Sequence, residues 1–180
     1  MECDVREQKD TLAVAKQIKE SHGRIDFLIN NAGIAHEGKP IQELPFEVFK
    51  QVVDTNLYGL FLTTQAALPL IPQGGVIVNN LSVAAMKVFP GSSGYCSSKF
   101  GALGFTNTLR EELRSRRIRV TGLIPGPIET DIWSQFWAAA PREKMAKPEH
   151  VAQIVVDILK LPEGATVEFA HIGPTGGELV

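Results

Sequence analysis

A chain of 180 residues, 44% hydrophobic and 21% charged, suits one globular unit with a sizeable core and leaves little room for a second. Eighteen basic against twenty acidic residues give a net charge of −2, which offers no electrostatic footprint for nucleic acid or an anionic membrane. Cys3 and Cys96 make neither a zinc spacing nor a disulfide framework, so no metal site is expected. The N-terminus is charged from residue 2 and lacks the apolar region of a signal peptide. Residues 57–71, the longest apolar stretch, are broken by polar residues and a proline and are too short to span a bilayer. A soluble cytoplasmic protein is the expectation.

Along the chain, residues 7–22 carry Leu12, Ala15 and Ile18 at helical spacing and stop at Gly23, a fitting helix end. "IDFLIN" (25–30) reads as a strand closed by the turn-like "NAG". Residues 45–71 read as one long helix, 75–82 as a strand, 94–116 as a helix and 118–124 as a strand. "RSRRIR" (114–119) reads as a solvated helix end whose cations complement the helix dipole. A helix over 147–161 has Pro148 in its first turn, and 166–172 looks like a last strand. Short apolar strands alternating with helices predict an α/β fold, a mostly parallel sheet with helices on both faces.

Ligands of such sheets bind beyond the carboxyl ends of the strands. That directs attention to residues 30–33, 80–82 and 125–130, each small, polar or glycine-containing. Tyr95 and Lys99 are four apart on a helix and share one face. Alone, that spacing equally describes a tyrosine packed on a lysine stem. Ser82 lies thirteen positions before Tyr95, at a strand end, and is either a turn serine or a hydroxyl aimed into the crevice. Asn56 stands inside a helical stretch, where a short amide competes with the backbone and is usually unfavourable. "GSSGY" leads into the helix with a serine placed to cap it.

These pieces fall into a pattern. "CDV", "NNAG", "TNLYG", "NLS", "YCSSK" and "PGPIET" occur in the order and spacing of the short-chain dehydrogenase/reductase family, and "LPEGATVEFAHIGPTGG" is similar to the tail of several members. The resemblance covers essentially the whole chain. It implies NAD or NADP as cofactor, a small-molecule carbonyl or alcohol substrate, and a catalytic set of Ser82, Tyr95, Lys99 and Asn56. In that set Tyr95 is the general acid/base, and Lys99 lowers its pKa from about 10 by roughly 1–3 units and bonds the nicotinamide ribose. Ser82 holds the substrate oxygen, and Asn56 holds a water that links Lys99 to solvent. The resemblance further places Asp4 and Val5 at the adenine and Asn30, Ala32 and Gly33 beside the adenosine ribose. Pro125, Gly126, Ile128 and Thr130 would close over the carboxamide. Asn30 equally suits a tie between strands, and "PGP" a simple turn. Residues 131–147 match the family's variable substrate loop, with Trp133, Phe136 and Trp137 as an apolar lid or as ordinary helix packing. A homodimer or homotetramer is implied through helices 45–71 and 94–116, for which the small residues of "GALGF" look suited.

Family members open with a strand, a glycine-rich phosphate turn, a helix and a second strand. None of these is recognisable here, and no Gly-x-x-x-Gly-x-Gly turn precedes residue 25. The expectation is therefore one partial Rossmann-like, doubly wound domain over residues 1–180, lacking the first strands and the glycine-rich turn. "MECDV" then marks the end of a third strand, with about sixty residues, two units of ~30, preceding it in the family pattern. The strand over 25–30 becomes a bare edge. Three readings follow: an oxidoreductase whose polypeptide continues upstream of Met1; a cofactor-poor remnant that pairs its edge with another chain; and a non-catalytic α/β interaction module.

Overall fold

The computed structural model describes residues 2–177. Four strands form one fully parallel sheet in the order β1 (Phe27–Asn30), β2 (Val76–Asn80), β3 (Arg119–Pro125), β4 (Phe169–Ile172). Helix α1 (Gln8–His22) precedes β1. Helices α2 (Phe46–Val53) and α3 (Gly59–Ala67) join β1 to β2, α4 (Ser93–Leu113) joins β2 to β3, and α5 (Ile132–Phe136) and α6 (Pro148–Leu159) lead to β4. Within the described residues no helix is long and apolar enough to cross a membrane.

The continuous apolar run of β2 is explained by its two covered faces. Ile77 packs with Val120 under Leu109 and Leu113 of α4, whereas Val76 and Val78 pack with Leu123 against Ile158 of α6. Alternate residues thus enter opposite layers. Each fully buried Val or Ile contributes roughly 1.5–3 kcal/mol, which makes the β2–β3 pair the centre of the core. The strand ends therefore converge at one edge of a rigid sheet, and the motif residues ride on them.

The helix expected over 45–71 is not continuous. A π-turn, Asp54–Tyr58, separates α2 from α3, and a 3₁₀ turn, Leu68–Leu70, ends it. The basic run 114–119 is not simply solvated. Arg116 donates to the carbonyls of Leu68 (3.3 Å) and Ile71 (2.6 Å), and Arg119 to that of Leu161 (3.1 Å). These side chains tie the basic run to backbone carbonyls of the segments after α3 and α6. Nor is "GALGF" wholly a free face. A Cβ on Gly101 would stand 2.8 Å from Leu57 Cδ2 and Ala102 is buried, so these two pack internally, whereas Gly104 is exposed with open space around it.

Strand β1 pairs only with β2 among the described residues, as the edge expectation required. Phe27 and Ile29 are 48% and 47% exposed on it.

Candidate active site

The carboxyl end of β2 carries the first component. The backbone at Ser82 is extended, and its Oγ accepts the Ala84 N–H at 3.1 Å, which fixes the hydroxyl at the mouth of a 3₁₀ turn. That hydroxyl is hydrogen-bonded to the phenol of Tyr95, in the first turn of α4. One turn further on, Lys99 lies buried with Nζ 5.7 Å from the Tyr95 ring centroid, and it donates to the Asn80 carbonyl at 2.9 Å. Ser82, Tyr95 and Lys99 are thus brought together.

The electrostatics differ from expectation. Burial pushes the Tyr95 phenol above 10, and the Ser82 hydrogen bond opposes this only in part. The ammonium does not lower it, because Lys99 Nζ is turned to Asn80 and sits over the ring rather than on the hydroxyl. Lys99 itself is lowered to about 8 by desolvation. At neutral pH the site therefore holds a neutral phenol beside a charged ammonium.

Asn56 occupies the π-turn, but not as a water holder through its side chain. Its Oδ1 accepts the Ile34 N–H at 2.8 Å, and its Nδ2 donates to Ile34 O (2.9 Å) and Ser98 Oγ (3.0 Å). The amide is fully used in clamping the loop after β1. A Cβ at Gly33 would meet Asn56 Oδ1 at 3.4 Å and Lys99 Nζ at 3.7 Å, ordinary contact distances that place this loop position between the two side chains.

A cavity of about 90 Å³ opens beside β1, lined by Val5, Asn30, Asn31, Ala32, Asn56 and Asn80 among others. The Asn80 Nδ2 donates to Asn31 Oδ1 at 2.7 Å, while its own Oδ1 is buried with no hydrogen-bond partner. Val5 sits tightly on Gly59, where a Cβ would stand only 2.7 Å from Val5 Cγ2. Asn30 serves as a tie, donating to Asn79 Oδ1 (2.8 Å) and Thr64 Oγ1 (3.1 Å). The Asp4 carboxylate is paired with Arg6 on the surface, which holds it down to about 2. The orphaned Asn80 Oδ1 beside this cavity fits a hydroxyl donor such as that of a dinucleotide ribose.

Beyond β3, the Gly126 N–H donates to Ile172 O (2.7 Å), and Pro125 pairs with Ile172 at the strand end. Ile128 O accepts Trp133 Nε1 (2.7 Å), and Thr130 O accepts Arg142 Nη1 (2.8 Å). On α5 the rings of Trp133, Phe136 and Trp137 form a chain, Trp133 lying 5.8 Å from Phe136 and 6.4 Å from Trp137. Phe136 meets the Tyr95 ring at 6.2 Å, so the aromatic chain reaches the phenol.

The expected serine cap of α4 is absent: the Ser92 side chain makes no capping bond. His36, which the sequence reading passed over, stands there instead, 4% exposed, with Nε2 accepting the Tyr95 N–H at 3.4 Å. Asn31 and Asn80 lie in motifs the sequence singled out but had no role assigned, and Arg6 and Gln135 lie in no motif at all.

A profile described as short chain dehydrogenase matches residues 1–141. The chain belongs to the short-chain dehydrogenase family. Relatives of this short-chain dehydrogenase include a sepiapterin reductase of Chlorobaculum tepidum, 35% identical over 98% of this chain and 72% of the relative. Another is a 3-oxoacyl-(acyl-carrier-protein) reductase of Thermotoga maritima, 33% identical over 98% of this chain and 75% of its own length. Among solved structures, an alcohol dehydrogenase of Thermococcus sibiricus complexed with 5-hydroxy-NADP superposes with a TM-score of 0.88 at 28% identity, covering 98% of this chain and 74% of that one. A serine dehydrogenase complexed with NADP+ gives 0.91 at 26% identity over 99% and 76%. The family transfers hydride between a CH–OH or C=O substrate and NAD or NADP.

Proposed function

We propose that this NAD(P)-dependent oxidoreductase acts chiefly as a carbonyl reductase, with Tyr95 as proton donor. One observation carries the reading: Ser82 hydrogen-bonds the Tyr95 phenol at the β2 end while Lys99 Nζ lies 5.7 Å above the same ring. A nicotinamide, when bound, supplies the hydride. Lys99, Asn31 and Asn80 would hold its ribose, with Ala32 and Gly33 along its path and Pro125, Gly126, Ile128 and Thr130 on its carboxamide side. Val5, Asp4 and Asn30 would lie toward the adenine end.

The chain's own residues do the rest. Ser82 donates to the substrate oxygen and fixes it next to the phenol. As that oxygen takes up charge, Tyr95 gives it the phenolic proton and keeps the O–H electron pair as phenolate. Lys99, whose Nζ rests on the Asn80 carbonyl before reaction, steadies that phenolate when the ammonium turns from Asn80 toward the phenol oxygen. A phenol that stays neutral at pH 7 suits donation, so reduction is the favoured direction there. The π-turn at Asn56 leaves backbone carbonyls without their regular helix partners, which suits a proton path from Lys99 to solvent. Trp133, Phe136 and Trp137 form an apolar wall, which favours a carbonyl with an apolar flank.

The test is turnover of alkyl and aryl ketones by NADPH or NADH with Tyr95→Phe in parallel. Loss of the donor should lower kcat by roughly 10²–10⁴-fold, with dinucleotide affinity within about threefold. Equal turnover by both proteins would refute the assignment. A second reading, an interaction module, is favoured by the exposed β1 edge. It predicts association through that edge and no dinucleotide binding.

A further inference from the structure

We propose that His36 is a positioning residue that caps α4 from outside the helix and so holds Tyr95 on Ser82; the proposal rests on the catalytic reading of Tyr95. Helix α4 begins at Ser93, which makes Tyr95 its third residue. The N–H of that position is one a helix cannot satisfy internally and that an N-cap side chain normally accepts. Ser92 occupies the cap but makes no such bond, and its backbone carbonyl takes the Cys96 N–H at 2.8 Å instead. The acceptor for Tyr95 comes from the loop after β1, as His36 Nε2.

The imidazole is prepared for that role. Nδ1 lies 2.7 Å from the Glu37 carbonyl, a pure acceptor, so the ring proton sits on Nδ1 and Nε2 presents a lone pair. Gly94 makes room for it, since a Cβ there would stand 3.1 Å from Nε2 and 3.2 Å from Cδ2. The loop is anchored one step back, where Asn56 clamps both backbone groups of Ile34. It also touches the lid, through the Ala35 N–H to Gln135 Oε1 at 3.4 Å. The Asn56 amide therefore acts on the phenol indirectly, through Ile34 and His36. Proton transfer needs donor and acceptor held at hydrogen-bond distance, about 2.6–3.2 Å, and a shift in the first turn of α4 moves the whole tyrosine.

The test compares His36→Phe, which keeps ring bulk and removes the acceptor, with His36→Gln, whose side-chain carbonyl reaches about as far as Nε2. The chain has two tyrosines, so tyrosine labelled with ¹³C at Cζ gives a resonance for Tyr95 and one for Tyr58 as internal reference. The Tyr95 resonance should shift in His36→Phe and return in His36→Gln, with Tyr58 unmoved. In steady-state reduction, kcat should fall about tenfold or more in His36→Phe, with KM within about twofold, and recover to within about threefold in His36→Gln. An unmoved Tyr95 resonance in His36→Phe, or a moved one with kcat unchanged, overturns the proposal. So does His36→Gln behaving like His36→Phe. If the wild-type chain reduces no carbonyl, the resonance alone decides the role of His36, and the failure belongs to the catalytic reading.

Discussion

Lys99 is buried, 6% exposed, and its ammonium donates to a neutral carbonyl, that of Asn80. Lowering its pKa from 10.5 to about 8 corresponds to about 3 kcal/mol of penalty for keeping it charged in the folded state at neutral pH. The sign follows from proton binding: between about 8 and 10.5 the unfolded chain holds a proton that the folded chain has released, so stability rises with pH across that window. Lys99→Met should therefore stabilise the protein at pH 7. The gain is expected near 1–2 kcal/mol, because the Asn80 carbonyl loses its donor, and it should shrink as pH approaches 10.5. Urea unfolding of both proteins at pH 7 and near pH 10 reads this directly. A destabilised Lys99→Met at pH 7 would show that the ammonium is held by attraction rather than endured for function.

Among elements, α4 carries most of the site, and its position on the sheet depends on Arg110. The guanidinium donates to Val120 O (2.9 Å) and Glu168 O (2.8 Å) and lies 4.6 Å from the Phe169 ring centroid. Arg110→Met removes a donor from the buried Val120 carbonyl and from the Glu168 carbonyl, which keeps the Gly122 N–H, so a loss of about 1–3 kcal/mol is expected. It should appear as a lower urea midpoint with an unchanged m-value. This scale also shows what the sequence could disclose. The strands and α4 were legible because apolar runs and i,i+4 spacing are local signals, and Tyr95 and Lys99 share a helix face for that reason. The opening of the helix at Asn56 was signalled by a short amide inside a helical stretch, but its partner was not, since Asn56 reaches Ile34 across 22 positions. Arg116 looked like a solvated cation because its partners, Leu68 O and Ile71 O, belong to another element. His36 escaped for the same reason, being a cap that comes from a distant loop. The sign of the Tyr95 shift was missed because spacing shows proximity and says nothing of burial.

At the scale of the molecule, two surfaces remain apolar. One is the β1 edge with Phe27. The other lies on the helices α2 to α4, where Phe46, Tyr58, Phe61 and Phe100 are exposed and Phe61 meets Phe105 edge-on at 6.1 Å. An assembly of the kind the sequence resemblance implies would use the helical surface, since the edge strand presents backbone that pairs without selectivity. Light scattering should then show Phe61→Glu shifting the assembly toward monomer, while Phe27→Lys lowers aggregation and leaves the oligomer intact. The reverse pattern would move the interface to the edge and favour the interaction-module reading.

Turnover against pH bears most directly on the claim that a charged lysine steadies the tyrosine's phenolate. With saturating dinucleotide, carbonyl reduction by the wild-type chain should hold level below pH 8 and fall as pH rises through about 8, where Lys99 loses its charge. The Tyr95 phenol, raised above 10, is still protonated throughout that range. A rate that stays level to pH 10 would contradict the account.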